Sequence, residues 1–355
     1  MKLLIVTNKF LILNLLILIL ILIEFNGKKQ YKKKIGVVGL RHEVNIGNQL
    51  LKYAMFIKLS ELGFKPFIIG THWKNKNISF LKEKTNLIII KKNFSEIKRY
   101  DYDFLIVNSD QTWRKFDQFF YDYGFLKFAE NWNITKIVYG ASLGFDYWTL
   151  TKKDEIIIKK LLRNFKGISV REEGSRKLIR NHLGIQTSFV LDPTLLIDKK
   201  YYLNLIKNYN GFINGSQKYF FNYSIRKEKN LIKFMKLAEK KLNYKFYNLY
   251  LHNNNCNIED FIYGIVNSKG VITNSYHGTL FSIIFNKPFI SFISKTITKE
   301  RFFSIGNLFD LNERIILKDE IPNFSLLTKP LSINRTLMNI LKFQSINFIK
   351  NNLQI

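Results

Sequence analysis

The sequence predicts an α/β protein made of two Rossmann-like domains that face each other across a cleft. Three observations carry that expectation. The chain is 355 residues long, enough for two domains of ordinary size. Short apolar runs rich in Ile, Val and Phe alternate with longer segments of helical periodicity. Most of these apolar runs end in small or polar residues, and the whole alternation starts again after a polar interruption near residue 198.

The chain opens on an aliphatic stretch. The uncharged run Phe10–Ile23 is shorter than the ~20 residues a spanning helix needs, and residues 3–23 reach that length only with Lys9 inside. Two readings stay open. As a membrane anchor it would leave the bulk of the chain cytoplasmic, because Lys28, Lys29, Lys32, Lys33 and Lys34 follow it. As a non-native extension it never inserts. No small-residue cleavage site follows, so a removed signal peptide is not expected. Residues 1–32 are therefore set apart as a hydrophobic segment with a basic linker.

The first α/β domain is expected over residues 33–197. Ile35–Leu40 reads as a buried strand, residues 41–47 as a loop, and 48–62 as a helix closed by Gly63. Pro66–Ile69 supplies the next strand. The glycines do not spell the G-x-G-x-x-G fingerprint, so a dinucleotide is not inferred. Further strands are read at Phe104–Val107, Lys136–Tyr139 and Ile168–Val170, ending in Asn108–Gln111, Gly140–Gly144 and Arg171–Ser175. In a parallel sheet all these polar ends lie on one edge.

Residues 198–215, polar with two glycines, read as a linker, and 216–330 as the second domain. There the expected order is strand 218–223, helix 227–242, strand 245–249, a loop tip holding Cys256, and helix 258–267. A strand-helix-strand unit follows: Val271–Thr273, a polar corner at Asn274–Gly278, an apolar helix from Thr279 to Phe285, and a strand at Pro288–Phe292. That corner joins a strand's carboxyl end to a helix N-terminus, where free N–H groups favour anions. Residues 331–355 read as a C-terminal helix packing back on the first half. The arrangement is GT-B-like, and no internal repeat is present.

Composition narrows the function. A hydrophobic share of 46% describes a core-forming chain, and the formal charge of +29 points to anionic partners. No zinc-finger spacing, RNP-type motif or helix-turn-helix is present, so nucleic acid is not expected as a partner. A membrane surface or an anionic substrate fits the charge better. The single cysteine, Cys256, excludes an intramolecular disulfide and a cysteine-based metal site.

Five segments carry a more specific signal: Tyr102–Trp113 (YDFLIVNSDQTW), Tyr139–Gly144 (YGASLG), Ile168–Glu172 (ISVRE), Val190–Thr194 (VLDPT) and Thr273–Thr279 (TNSYHGT). In order and spacing they resemble the polysaccharide pyruvyl transferase family, over roughly residues 34–312. The resemblance implies transfer of a pyruvyl unit from phosphoenolpyruvate, as co-substrate, to two sugar hydroxyls as a ketal, with no metal and no organic cofactor. It implies a glycan or lipid-linked sugar as acceptor. His277 is expected as general acid or base, and Asp110 as base or as the group orienting a sugar hydroxyl. Arg171 is expected to clamp a carboxylate or phosphate. Ser109, Asn274, Ser275 and Gly278 are expected to line the substrate site, together with Asn45, Gly47 and Asn48 of the first loop and Arg301 as a second positive charge.

The chain departs from the family pattern at named points. An arginine commonly stands two residues before the histidine, where this chain has Ser275; the first loop ends in Ile46-Gly47-Asn48 after Asn45; and Asn108 replaces a glycine before Ser-Asp. Two other functions therefore stand beside pyruvyl transfer: a GT-B-like glycosyltransferase using a sugar nucleotide, and a non-catalytic membrane-associated binding protein.

Overall fold

The computed structural model describes residues 32–40, 45–70, 76–84, 88–91, 93–214, 217–251, 256–293, 299–317, 320 and 322–354. Residues 3–23, with both readings of that stretch, lie outside them. Among the described residues no helix is long and apolar enough to cross a membrane. Lys34–Ile355 form one compact unit.

The first half runs β1 (Lys34–Val38), α1 (Ile46–Glu61), β2 (Lys65–Gly70), α2 (Lys76–Lys84), β3 (Ile89–Lys91), β4 (Phe104–Val107), α3 (Phe120–Phe125), β5 (Thr135–Ala141), α4 (Lys152–Leu162), β6 (Gly167–Val170), α5 (Glu173–Leu183) and β7 (Ser188–Phe189). Its strands form one sheet in the order β3-β2-β1-β4-β5-β6-β7, and every pairing is parallel. α6 (Lys199–Leu205) then leads to β8 (Phe220–Ser224), α7 (Lys229–Leu242), β9 (Phe246–Tyr250), α8 (Ile258–Asn267), β10 (Gly270–Thr273), α9 (Tyr276–Ile284), β11 (Phe289–Ile293), α10 (Glu300–Phe309), β12 (Ile315–Leu317) and α11 (Arg335–Leu353). The second sheet, also parallel, has the order β12-β11-β10-β8-β9.

Strand order reverses between β1 and β4 in the first sheet and between β8 and β10 in the second. Such switch points open a crevice at the carboxyl ends of the strands, because the connections on either side leave in opposite directions. This is the GT-B-like, two-sheet architecture the sequence predicts.

Both faces of each sheet are covered. Alternate residues of β4 point opposite ways: Phe104 and Ile106 join one core, Leu105 and Val107 another. The first of these cores runs on into the second half, through Tyr223, Phe281 and Phe289. One apolar core is thus shared by the two sheets.

The shared core corrects the expected polar linker at 198–215. Within it Tyr202, Leu205 and Ile213 are buried against both halves, and α6 is capped by Asp198, whose carboxylate accepts from Lys200 N. Cys256 is also no loop tip. Its side chain is buried, because Asn77 on α2 donates to the Cys256 carbonyl (3.4 Å) and accepts from Ile258 N (3.1 Å), drawing the start of α8 inward.

α11 packs back as expected. Leu191 N donates to Ser345 Oγ (2.9 Å), the Tyr139 and Phe348 rings lie 6.2 Å apart, and Ile349 and Leu353 are buried.

Candidate active site

The two switch points supply the site. From the first half come the start of α1, the residues after β4 and the residues after β6; from the second come the loop after β8, the start of α9 and the start of α10.

α9 begins three residues earlier than the apolar pattern suggests. Ser275 caps it, its hydroxyl accepting from Gly278 N (3.3 Å), so His277 lies in the first helical turn. Gly278 lets that turn pack on β10: a Cβ there would stand 2.2 Å from Thr273 Oγ1, which donates to the Tyr223 carbonyl (2.6 Å). Across the cleft, Asn45 caps α1 by accepting from Gly47 N (2.9 Å). Gly47 then meets the histidine, since a Cβ at that position would come within 2.3 Å of His277 Cγ and Nδ1.

Arg171 is the electrostatic centre. Its Nη2 donates to Asp110 Oδ1 (3.0 Å), its Nε to Glu172 Oε1 (3.0 Å) and its Nη1 to Asp192 Oδ2, with Ser109 Oγ at 3.4 Å from Nη1. Its guanidinium also lies 4.6 Å from the centre of the Tyr276 ring. All of these groups are buried. One guanidinium thus gathers three carboxylates, so Arg171 is a hub for the site's own acids before it is a clamp for a ligand.

Asp110 follows β4 with a φ of +87°, a backbone region that side-chain-bearing residues rarely enter. Its carbonyl accepts from Thr112 N (2.7 Å) and Ser142 N (2.9 Å), and its carboxylate accepts from Asn48 Nδ2 (2.9 Å). Burial alone would raise the Asp110 carboxyl. The charges of Arg171, His277 and Arg301 and the Asn48 hydrogen bond outweigh that and hold it below the usual carboxylate range. Glu172 goes the other way: burial lifts it above the ordinary glutamate value despite Arg171.

His277 is lowered by burial, and by Arg171 and Arg301, against the opposite pull of Asp192 and Asp110. It is therefore a neutral imidazole at neutral pH. Its Nε2 is buried, makes no hydrogen bond among the described residues, and lies 4.0 Å from Asp192 Oδ2. Arg301, in the first turn of α10, is buried with its guanidinium 5.5 Å from the Tyr276 ring centre. Its Nε is likewise unpartnered, and among the described residues it forms no ion pair.

His277, Asp110, Arg171, Arg301, Ser109, Asn45, Gly47 and Asn48 are thus brought together. Asn274 is turned aside. Its Oδ1 accepts from Ile225 N (2.7 Å), and its Nδ2 donates to the Arg226 carbonyl (2.9 Å) and to Glu228 Oε1 (3.3 Å). Ser275 is occupied as the helix cap.

Residue-by-residue reading missed Asp192, Glu172 and Tyr276. Asp192 had a visible signal, its place before Pro193, where it also accepts from Thr194 N (3.0 Å) and Thr194 Oγ1 (2.7 Å). Asn108, a departure from the family pattern, has both its side-chain amide atoms buried without a partner among the described residues. Among the described residues no group of three His, Cys, Asp or Glu side chains is gathered to hold a metal ion.

The structure is similar to S. aureus MnaA in complex with UDP, with a TM-score of 0.57 and 15% identity over 91% of this chain and 97% of that one. It is also similar to a UDP-GlcNAc 2-epimerase from Neisseria meningitidis bound to UDP-GlcNAc, with a TM-score of 0.53 and 12% identity over 89% of this chain and 94% of that one. At such identities the likeness speaks for the fold. A search of the curated proteins finds no match. The sequence model of the polysaccharide pyruvyl transferases matches residues 45–296, which spans Asn45, Asp110, Arg171, Asp192 and His277. With well over half its length matched, and the matched part forming the buried centre of the cleft, this chain belongs to the polysaccharide pyruvyl transferase family and is a transferase.

Proposed function

We propose that this transferase moves a pyruvyl group from phosphoenolpyruvate to two hydroxyls of a sugar in a surface polysaccharide or its lipid-linked precursor. The product is a cyclic ketal, and phosphate is released. The observation that carries the reading is a buried, neutral His277 whose Nε2 makes no hydrogen bond among the described residues, beside a buried Arg301 that forms no ion pair among them.

Arg301 supplies the charge that Ser275 does not. The family commonly places an arginine two residues before the histidine; here Arg301 reaches the ring of Tyr276, the residue between the two, from the next helix. The Arg301 Nε–H, buried and without a partner among the described residues, leaves a donor that seats a carboxylate or phosphate through a charge-assisted hydrogen bond.

The steps follow from the groups present. Protonation of the donor's methylene carbon makes its C2 electrophilic, and one sugar hydroxyl adds there while losing its proton. The C2–phosphate bond breaks, the second hydroxyl closes the ketal, and its proton leaves with the phosphate. His277, neutral and held by Gly47 and the α9 turn, takes the first hydroxyl's proton. Glu172, whose carboxyl burial biases toward the protonated form, and Asp110, held ionised, divide acid and orienting roles. No metal or organic cofactor is drawn on. The +29 charge supports a reaction close to an anionic membrane surface at its cytoplasmic face.

Purified protein with phosphoenolpyruvate and a panel of glycans is expected to release phosphate, and Arg301→Gln and His277→Gln are expected to abolish the release. Thermal shift gives the rival outcome. A ligand at a hundred times its Kd adds about 2.7 kcal/mol, a shift of several degrees. Stabilisation by UDP and none by phosphoenolpyruvate would move the assignment to a sugar-nucleotide donor.

A further inference from the structure

A cavity of about 400 Å³ opens where the approach to α6, the end of α9 and the start of α11 meet, at the other end of α9 from His277. Leu195, Ile283 and Met338 give it an apolar lining, and Lys199, Arg335 and Lys342 add three cations. The volume is that of a small-ligand site. None of these residues enters the reaction proposed above.

The charge in this cavity is unbalanced. None of the three cations forms an ion pair among the described residues. The one carboxylate in the wall, that of Asp198, is engaged as the cap of α6, where it accepts from Lys200 N (2.8 Å). Lys342 is half-buried; burial lowers its amine, Asp198 opposes that and Lys58 adds to it. Arg335 stands in the first turn of α11, which holds no acidic residue. Helix N-termini favour anions and disfavour cations, so a negative group in the cavity would relieve both residues.

Two apolar side chains extend the same face. Phe343 and Ile340 of α11 are 64% and 48% exposed. Phe343 lies one helical turn from Asn339 of the cavity wall, and Ile340 one turn back from Phe343, so the apolar pair borders the cationic cavity. Cations placed for phosphate next to apolar side chains placed for the acyl boundary describe an interfacial helix. A dissolved anion would use the cations and leave Phe343 and Ile340 in water. A second copy of this chain would cover the pair but set like charge against like, at a formal +29 each.

We propose that this face docks on an anionic membrane, with the phosphate of an acidic phospholipid in the cavity between Lys199, Arg335 and Lys342, and with Phe343 and Ile340 entering the headgroup boundary. This rests on the membrane-surface part of the reading above and not on the identity of the donor. His277 lies in the first turn of α9 and the cavity at its end, so docking there leaves the cleft to the substrates.

Vesicle sedimentation of the full chain tests it, with neither donor nor glycan present. Vesicles of equal parts phosphatidylcholine and phosphatidylglycerol are expected to bind about tenfold tighter or more than phosphatidylcholine alone. The triple variant Lys199→Gln, Arg335→Gln and Lys342→Gln is expected to lose about a hundredfold of the affinity for the mixed vesicles, and Phe343→Ser about tenfold. A control takes the same charge from exposed positions of α7, by Lys233→Gln, Lys236→Gln and Lys240→Gln, and is expected to lose no more than about threefold. Phe343 is on the surface, so Phe343→Ser keeps the test open where Lys342→Gln disturbs α11. An equal loss in the two triple variants, or wild-type binding by Phe343→Ser, would overturn the docking face. Calorimetry in which glycerophosphate binds as tightly as the mixed vesicles would make the cavity a site for a dissolved anion, and a dimer in size-exclusion chromatography that Phe343→Ser splits would make the face an interface between copies; either result overturns it. Vesicle binding without phosphate release would count against pyruvyl transfer and leave the docking face standing.

Discussion

At Gly47 a single methyl group would stand 2.3 Å from the His277 ring, closer than any side chain tolerates. Gly47→Ala must push the imidazole or the start of α1 aside. It is expected to lower kcat by a hundredfold or more, since small misplacements of a catalytic group cost on that scale, while stability falls by about 1–3 kcal/mol. Steady-state kinetics beside a thermal melt separates the two. His277 also fixes a pH response. Above its ordinary value near 6.5 the folded and unfolded chains both hold it neutral. Below that, the unfolded chain takes up the proton first, so stability falls as pH drops through the interval down to the folded value. His277→Gln is expected to flatten this acid-side loss in Tm. With His277 as the proposed base, the same direction of shift predicts that the acid-side fall in kcat/KM comes at lower pH than an unperturbed histidine would give.

Between elements, the cleft is fastened by helix ends. Asp146, in the loop after β5, accepts from Lys299 N and Glu300 N (both 3.0 Å) at the start of α10, and Glu300 Oε1 accepts from Gly174 N (2.7 Å) at the start of α5. Each half thus caps a helix of the other. Asp146→Ala removes a cap worth roughly 1 kcal/mol. The expected result is a small loss of stability together with a larger radius of gyration by X-ray scattering; an unchanged radius would show that the caps do not hold the halves together. These caps were not legible in the sequence, because residues 146 and 299 approach only after both sheets have formed. The strands were legible. β4 and α8 fall where the apolar runs place them, since buried parallel strands and an amphipathic helix leave strong patterns. α9 starts three residues before the apolar pattern does, because Tyr276 and His277 are buried for reasons of the site, not of helical periodicity. The stretch at 198–215 departs from a solvated linker for a similar reason: Tyr202, Leu205 and Ile213 are buried in the core that the two sheets share, while Phe212 stays exposed.

For the molecule as a whole, the return of α11 joins chain end to active centre. Ser345 accepts from Leu191 N, next to Asp192, so Ser345→Ala leaves a buried donor unpaired beside one of the three carboxylates around Arg171. A cost of about 1–3 kcal/mol is expected, with a fall in activity larger than any other α11 surface substitution produces. Denaturant midpoints and initial rates on the same variants check both. The motif series showed which residues would meet. It did not show that Arg171 would be surrounded by acids while Arg301 forms no ion pair among the described residues, because that division depends on side chains from separate elements packed at one depth.

The burial of this centre has a kinetic consequence. His277, Asp110, Arg171 and Arg301 are almost wholly out of contact with solvent, and Glu300 and Asp146 sit at the rim beside them. In the proposed reaction donor and acceptor reach this centre, and phosphate leaves it, past that rim, so a parting and reclosing of the rim in every turnover is the expectation to be tested. If that motion sets the pace, added sucrose will slow kcat in proportion to viscosity. Slowing the chemistry with His277→Gln will erase the dependence, and weakening the rim with Asp146→Ala will reduce it.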